Sequence, residues 1–167
     1  MSPHTTPGRI GRIPVLEVAP VVEGGRWPAK AVVGEVVPVE ATVFREGHDA
    51  VSATAVLVAP DGSDHSWAPM TDVAPGLDHF RGELQPDAEG DWTFRVEAWS
   101  DPYATWVHDA GIKIAADIDT ELMLAEGVRL FERICRLVPG DALVAGGRTA
   151  RDARVLTAAG KALADAR

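Results

Sequence analysis

The chain has 167 residues, a net charge of −9 and one cysteine, Cys135, so it suits one domain or one domain and part of another, with no internal disulfide. At 46% hydrophobic residues it can build a core without staples. The charge is uneven: residues 46–110 hold thirteen acidic side chains against two basic ones, a balance that repels phosphate backbones and argues against a nucleic-acid partner.

The first eleven residues favour no packed structure and are expected to be a disordered start. Residues 13–22 follow as a candidate strand, interrupted by Pro14 and Pro20 and therefore suited to a sheet edge. After a loop around Trp27-Pro28 comes a strand over 36–44, with Val37, Val39, Ala41 and Val43 on one face and Glu40 and Thr42 on the other. A strand over 51–59 ends at Pro60-Asp61-Gly62-Ser63, a strong turn signal. Residues 65–70 form a weaker strand holding Trp67. Residues 77–84 present Phe80, Gly82 and Leu84 to one side. From Trp92 the chain alternates cleanly: Trp92, Phe94, Val96 and Ala98 face one way, and Thr93, Arg95, Glu97 and Trp99 the other. Period two means a half-buried strand. After the Ser100-Asp101-Pro102 break, residues 105–114 read as a last strand. Seven or so short strands with regular turn signals predict a mainly β fold, an immunoglobulin-like β-sandwich over residues 12–116.

At Asp117 the period changes to that of a helix, and residues 117–167 read as a partial helical bundle. Leu124, Val128, Phe131 and Cys135 make one stripe; Leu130, Ile134 and Leu137 or Val138 make an adjoining one, so the helix needs cover on more than one side. Cys135 falls in this apolar pattern and reads as a buried, inert thiol. Asp119 or Thr120 can cap the first turn, and Pro139-Gly140 stops the helix. A second helix is expected from about Thr149. Its pattern is still running at Arg167, which reads as a cut and not as a natural end.

Chemistry is sparse. None of His4, His48, His65, His79 and His108 has a partner at metal-ligand spacing, and no cofactor or metal is expected. Gly8 to Arg12 precedes a strand where a dinucleotide loop follows one. The acids near Asp87, Glu89 and Asp91 sit in a turn and read as solvated, so no catalytic residue is assigned. The aromatics carry more. Trp99, Tyr103 and Trp106 suit either a platform for the apolar faces of sugar rings or a packing surface against another domain or subunit, and the interface is the reading preferred. Leu124, Val128 and Phe131 extend that surface. No apolar run approaches the roughly 18 residues needed to cross a bilayer, and no signal peptide opens the chain, so a cytoplasmic protein without a membrane partner is expected.

Several runs carry a family resemblance. They are Gly11-Arg12-Ile13-Pro14-Val15, Trp27-Pro28-Ala29-Lys30-Ala31-Val32-Val33-Gly34-Glu35, and Val39-Glu40-Ala41-Thr42-Val43-Phe44-Arg45-Glu46-Gly47-His48-Asp49. Further on come Glu97-Ala98-Trp99-Ser100-Asp101-Pro102, Thr105-Trp106-Val107-His108, and Asp119-Thr120-Glu121-Leu122 with Glu126-Gly127. Together they resemble the N-terminal region of the bacterial alpha-1,4-glucan:maltose-1-phosphate maltosyltransferases, in the alpha-amylase-like glycoside hydrolase superfamily. The resemblance implies a parent enzyme that transfers maltosyl units from maltose 1-phosphate to alpha-1,4-glucans. That enzyme would work in a (β/α)8 barrel, by a retaining double displacement with an aspartate nucleophile and a glutamate acid/base. It also implies an N-terminal β-sandwich with an inserted helical bundle, both at a homodimer interface. This chain holds no barrel, so no catalytic residue carries over. His48, Asp49, Trp99, Asp101, Trp106 and His108 match as structural or interface positions only. The expected function is a non-catalytic structural and dimerisation region, its partners a second copy and the barrel of the same parent chain. Glucan or maltose 1-phosphate would be met only through the parent enzyme. The alternative is an autonomous glucan-binding module using the exposed aromatics.

Overall fold

The computed structural model describes residues 12–137. Six strands form in chain order: β1 (Val15–Ala19), β2 (Val37–Val43), β3 (Val51–Val58), β4 (Asp64–Ala74), β5 (His79–Leu84) and β6 (Thr93–Ser100). Two helices follow, α1 (Pro102–Ala115) and α2 (Thr120–Leu137). The chain divides into two compact units between Asp101 and Pro102.

In the first unit the strands form one antiparallel sheet in the order β1-β2-β5-β4-β3-β6. Its curl comes from β4, which is long enough to serve two partners. Residues 64–70 pair with β3, and residues 71–74 pair with β5. The sheet therefore folds over, β3 faces β2 and β5 across the interior, and β1 comes close to β6. Turn chemistry fixes the register. At 59–63 the Gly62 N–H donates to the Ala59 carbonyl, and the Ala59 N–H donates to the Ser63 carbonyl. Gly62 takes a positive φ of 87° there, as a hairpin with a bulge requires. Asp61 accepts the backbone N–H and the hydroxyl of Ser63 at 2.9 and 2.6 Å, and those bonds hold its carboxyl below the usual range. Pro75-Gly76 makes a type II turn, with Gly76 at φ 85° and the Leu77 N–H donating to the Ala74 carbonyl.

The expected faces form. Val39, Ala41 and Val43 of β2, Ala53, Ala55 and Leu57 of β3, Met70 of β4, and Phe80 and Leu84 of β5 build the core. Phe94, Val96 and Ala98 pack against it from β6, as does Trp92 just before that strand. Their odd-numbered neighbours, from Thr93 to Trp99, are exposed. Trp92 is only half-buried, its ring edge-on to His65 at 4.9 Å and its Nε1 donating to the Ala88 carbonyl at 2.9 Å.

The strand expected over 105–114 does not exist: those residues lie within α1. Asp101-Pro102 is a helix entry, a favoured capping residue followed by proline at the first helical position. The change of period expected at Asp117 thus falls at Pro102. What happens at Asp117 is a helix exit. There φ is 55°, and the Asp117 and Ile118 N–H groups donate to the carbonyls of Ile114 and Lys113. This is the Schellman pattern. The Asp119 carbonyl then accepts the first α2 bond from Met123. The expected disordered start, the Pro139-Gly140 stop and the helix from Thr149 lie outside the described residues.

Candidate functional site

The six sequence-predicted residues fall in two places. Trp99 stands on the outer face of β6, 43% exposed. The other five lie in the second unit, where α1 and α2 pack as a hairpin. There Phe131 is buried between two aromatics of α1. Tyr103 and Trp106 meet it edge-on at 6.0 and 5.8 Å, and the Trp106 Nε1 donates to the Met123 carbonyl at 2.9 Å. Trp106 is therefore a pin between helices, half-buried, with its polar atom satisfied. Met123, Gly127, Leu130 and Phe131 are the buried positions of α2, and Leu124 and Val128 are half-buried. Sequence periodicity put Leu124 and Val128 in the leading stripe. It overlooked Met123, because without α1 as a helix nothing marked which stripe has a partner. Tyr103, Val107, Ile112 and Leu122 remain exposed on the hairpin.

A second feature escaped the sequence altogether. One end of the sheet carries a groove between the loop after β1 and the loop before β6. Its inner part, about 360 Å³, is apolar and reaches Val39, Leu57 and Phe94, with Trp27 and Trp92 beside it. Its outer part, about 880 Å³, runs past Lys30, Glu35, Glu89 and Asp91. The walls are tied down. Gly34 donates its N–H to the Pro86 carbonyl at 2.8 Å, and the Gln85 side-chain amide donates to the Gly34 carbonyl at 2.5 Å. Glu35 accepts the Val32 N–H at 2.8 Å. Gly90 lies so near Pro60 that a Cβ would come within 2.6 Å of its ring. Trp27 is 56% exposed, its Nε1 donating to Glu23 at 3.2 Å and its ring under the Arg26 guanidinium at 5.6 Å. The only local signal was a tryptophan beside a proline in a loop. The groove itself joins residues some sixty apart in sequence.

The outer face of β3, β4 and β6 carries an ion-pair network. Arg95 donates two bonds to Asp64, at 2.6 and 2.7 Å, and one to Glu97 at 2.7 Å. The hydrogen bonds to Asp64, and next to Glu97, hold the guanidinium above its ordinary value. The bond from Arg95 holds the Asp64 carboxyl below its own. His65 lies 3.5 Å from Asp87, and His79 lies 3.3 Å from Glu40. Among the described residues no group of three or more His, Cys, Asp or Glu is placed to hold a metal ion, and no helix is long and apolar enough to cross a membrane.

This is a mainly β unit followed by a helical hairpin, offering packing surfaces and a groove. The family described as "Alpha-1,4-glucan:maltose-1-phosphate maltosyltransferase, domain N/S" matches residues 11–167, and the chain belongs to it. Among its relatives is maltosyltransferase 2 of Streptomyces coelicolor, 54% identical over 93% of this chain and 22% of the relative. The enzyme of Arcanobacterium haemolyticum is 50% identical over 78% of this chain and 19% of its own length. That of Mycolicibacterium smegmatis is 48% identical over 77% and 23%. The chain thus spans about a fifth of the length of these curated relatives.

Proposed function

We propose that this chain is the non-catalytic N-terminal structural and dimerisation region of a cytoplasmic maltosyltransferase, one that transfers maltosyl units from maltose 1-phosphate to alpha-1,4-glucans. The observation that carries this reading is the domain N/S match over nearly the whole chain, to relatives at least four times its length. In this reading the curled sheet is an immunoglobulin-like sandwich that supports a catalytic domain elsewhere in the longer polypeptide. The hairpin is the self-association surface. Its exposed Tyr103, Val107, Ile112 and Leu122 support that role, because apolar side chains left in water on a helical pair favour association, and a two-fold interface needs a self-complementary surface. Leu124 and Val128 of α2 are half-buried, and Phe131 packs edge-on against Tyr103 and Trp106.

Light scattering on the chain tests this. A dimer is expected, and Ile112→Glu should shift it towards monomer while leaving the circular dichroism unchanged. A clean monomer at high concentration would overturn the dimerisation role. Phosphate release from maltose 1-phosphate in the presence of a maltooligosaccharide, by the chain alone, would overturn the non-catalytic one.

A further inference from the structure

The groove at the end of the sheet has a composition that selects among ligands. Its two parts share Pro28, Pro86 and Trp92 and therefore adjoin, and each part falls in the range of about 300–1,000 Å³ typical of ligand sites. The rim presents Glu35, Glu89 and Asp91 against the single ammonium of Lys30. Three carboxylates to one cation disfavour phosphates and other anions. The same carboxylates, acceptors with several lone pairs each, suit a ligand dense in hydroxyl donors. The inner part offers the indoles of Trp27 and Trp92. Neutral, hydroxyl-rich and apolar on its ring faces describes an oligosaccharide, since C–H-bearing sugar faces stack on aromatic rings while the rim hydroxyls bond to acids. The walls are held by hydrogen bonds within the unit, so little ordering entropy opposes binding.

The geometry points to this groove as a binding site for an alpha-1,4-glucan chain, with Trp27 and Trp92 as the stacking surface and Glu89 and Asp91 as hydrogen-bond acceptors at the rim. The site concerns holding a glucan, not reacting with it. The choice of glucan rests on the functional reading above, while the preference for a neutral saccharide rests on the groove alone. Neither depends on dimerisation, so the light-scattering test and this one fail separately.

The test is a titration of the full chain with maltoheptaose, followed by the indole N–H resonances, together with electrophoresis in a gel containing glycogen. The Trp27 and Trp92 resonances should shift, inorganic phosphate should shift neither, and glycogen should retard the protein. Trp27→Ala should weaken binding at least tenfold, and Asp91→Asn should weaken it severalfold in a chain that keeps its native spectrum. Trp67→Ala and Trp99→Ala should bind as the parent does. No retardation and no shift would overturn the proposal. So would binding that survives Trp27→Ala and is lost in Trp99→Ala, because the saccharide would then sit on the outer sheet face. A phosphate-induced shift equal to that from maltoheptaose would overturn the charge argument on which the choice of ligand rests.

Discussion

The curled sheet and the helical hairpin face the same problem with different means. The sheet bends until its two halves cover each other, and its central residues Val39, Ala41, Val43 and Ala55 are almost wholly removed from water. Each helix of the hairpin can bury only the stripe that meets its partner, so Ala110, Met123, Leu130 and Phe131 are covered while Tyr103, Ile112 and Leu122 are not. A sheet that closes on itself supplies its own second layer, whereas two helices supply one seam and leave the rest of their surface to something else. Stability should therefore concentrate in the first unit, and capacity for association in the second.

That contrast can be tested by truncation. Phe80→Ala removes a ring at the centre of the sheet core and is expected to cost about 4 kcal/mol, read as a lowered denaturation midpoint by circular dichroism. A loss under about 1 kcal/mol would mean that the core closes around the gap far better than a jigsaw interior allows. Phe131→Ala should cost about 3 kcal/mol and should erase the near-ultraviolet signal of Trp106, since it removes both edge-on ring contacts. If its effect matched Phe80→Ala at every probe, the two units would be one cooperative block and the contrast would fail. Next in size is Gly90→Ala. It combines φ 151° with a methyl 2.6 Å from Pro60, and a loss of about 1–3 kcal/mol is expected. Wild-type stability in this variant would show that the loop before β6 yields easily. In the hairpin the opposite sign is expected. Asp117→Gly places glycine at the left-handed exit of α1 and should stabilise by about 0.5 kcal/mol; a lower melting temperature would count against the exit geometry.

The smallest effect concerns the ion pairs of the outer sheet face. Arg95→Ala should raise the Asp64 pKa towards the ordinary carboxylate value of about 3.9, measured by NMR titration. A carboxyl held below its unfolded value stabilises the fold above that value, and the contribution is lost as pH falls through the lowered one. The difference between parent and variant should therefore be present at neutral pH and vanish in strong acid. Because both side chains are exposed, it should remain slight. An unmoved Asp64 titration would remove Arg95 as the cause.

What could be read in advance follows from range. The faces of β2, β5 and β6 were legible because alternation is local: Val39-Ala41-Val43, Phe80-Gly82-Leu84 and Phe94-Val96-Ala98 each state their own inside. The family was legible for a similar reason, since contiguous runs such as 27–35 and 39–49 carry it. Residues 105–114 were misread because Thr105, Val107, Ile112 and Ile114 favour strands one by one, and Gly111 weakens a helix. The tie to α2 through Trp106 and Phe131 outweighs those preferences, and Asp101-Pro102 was the signal that could have announced it. The groove was invisible because residues 28–35 and 86–93 meet only after β2 has paired with β5.

The split allegiance of β4 has a consequence for the order in which the chain folds. β3, β4 and β5 are consecutive and lie side by side, joined by two short turns whose residues favour them intrinsically. This meander can assemble from nearby contacts, while β2 and β6 must close longer loops to reach its two flanks. The point where β4 changes partner, between Met70 and Thr71, is then the shared edge from which both flanks grow. Weakening either turn should slow folding more than it hastens unfolding, whereas damage to β1, added last at the margin, should do the reverse.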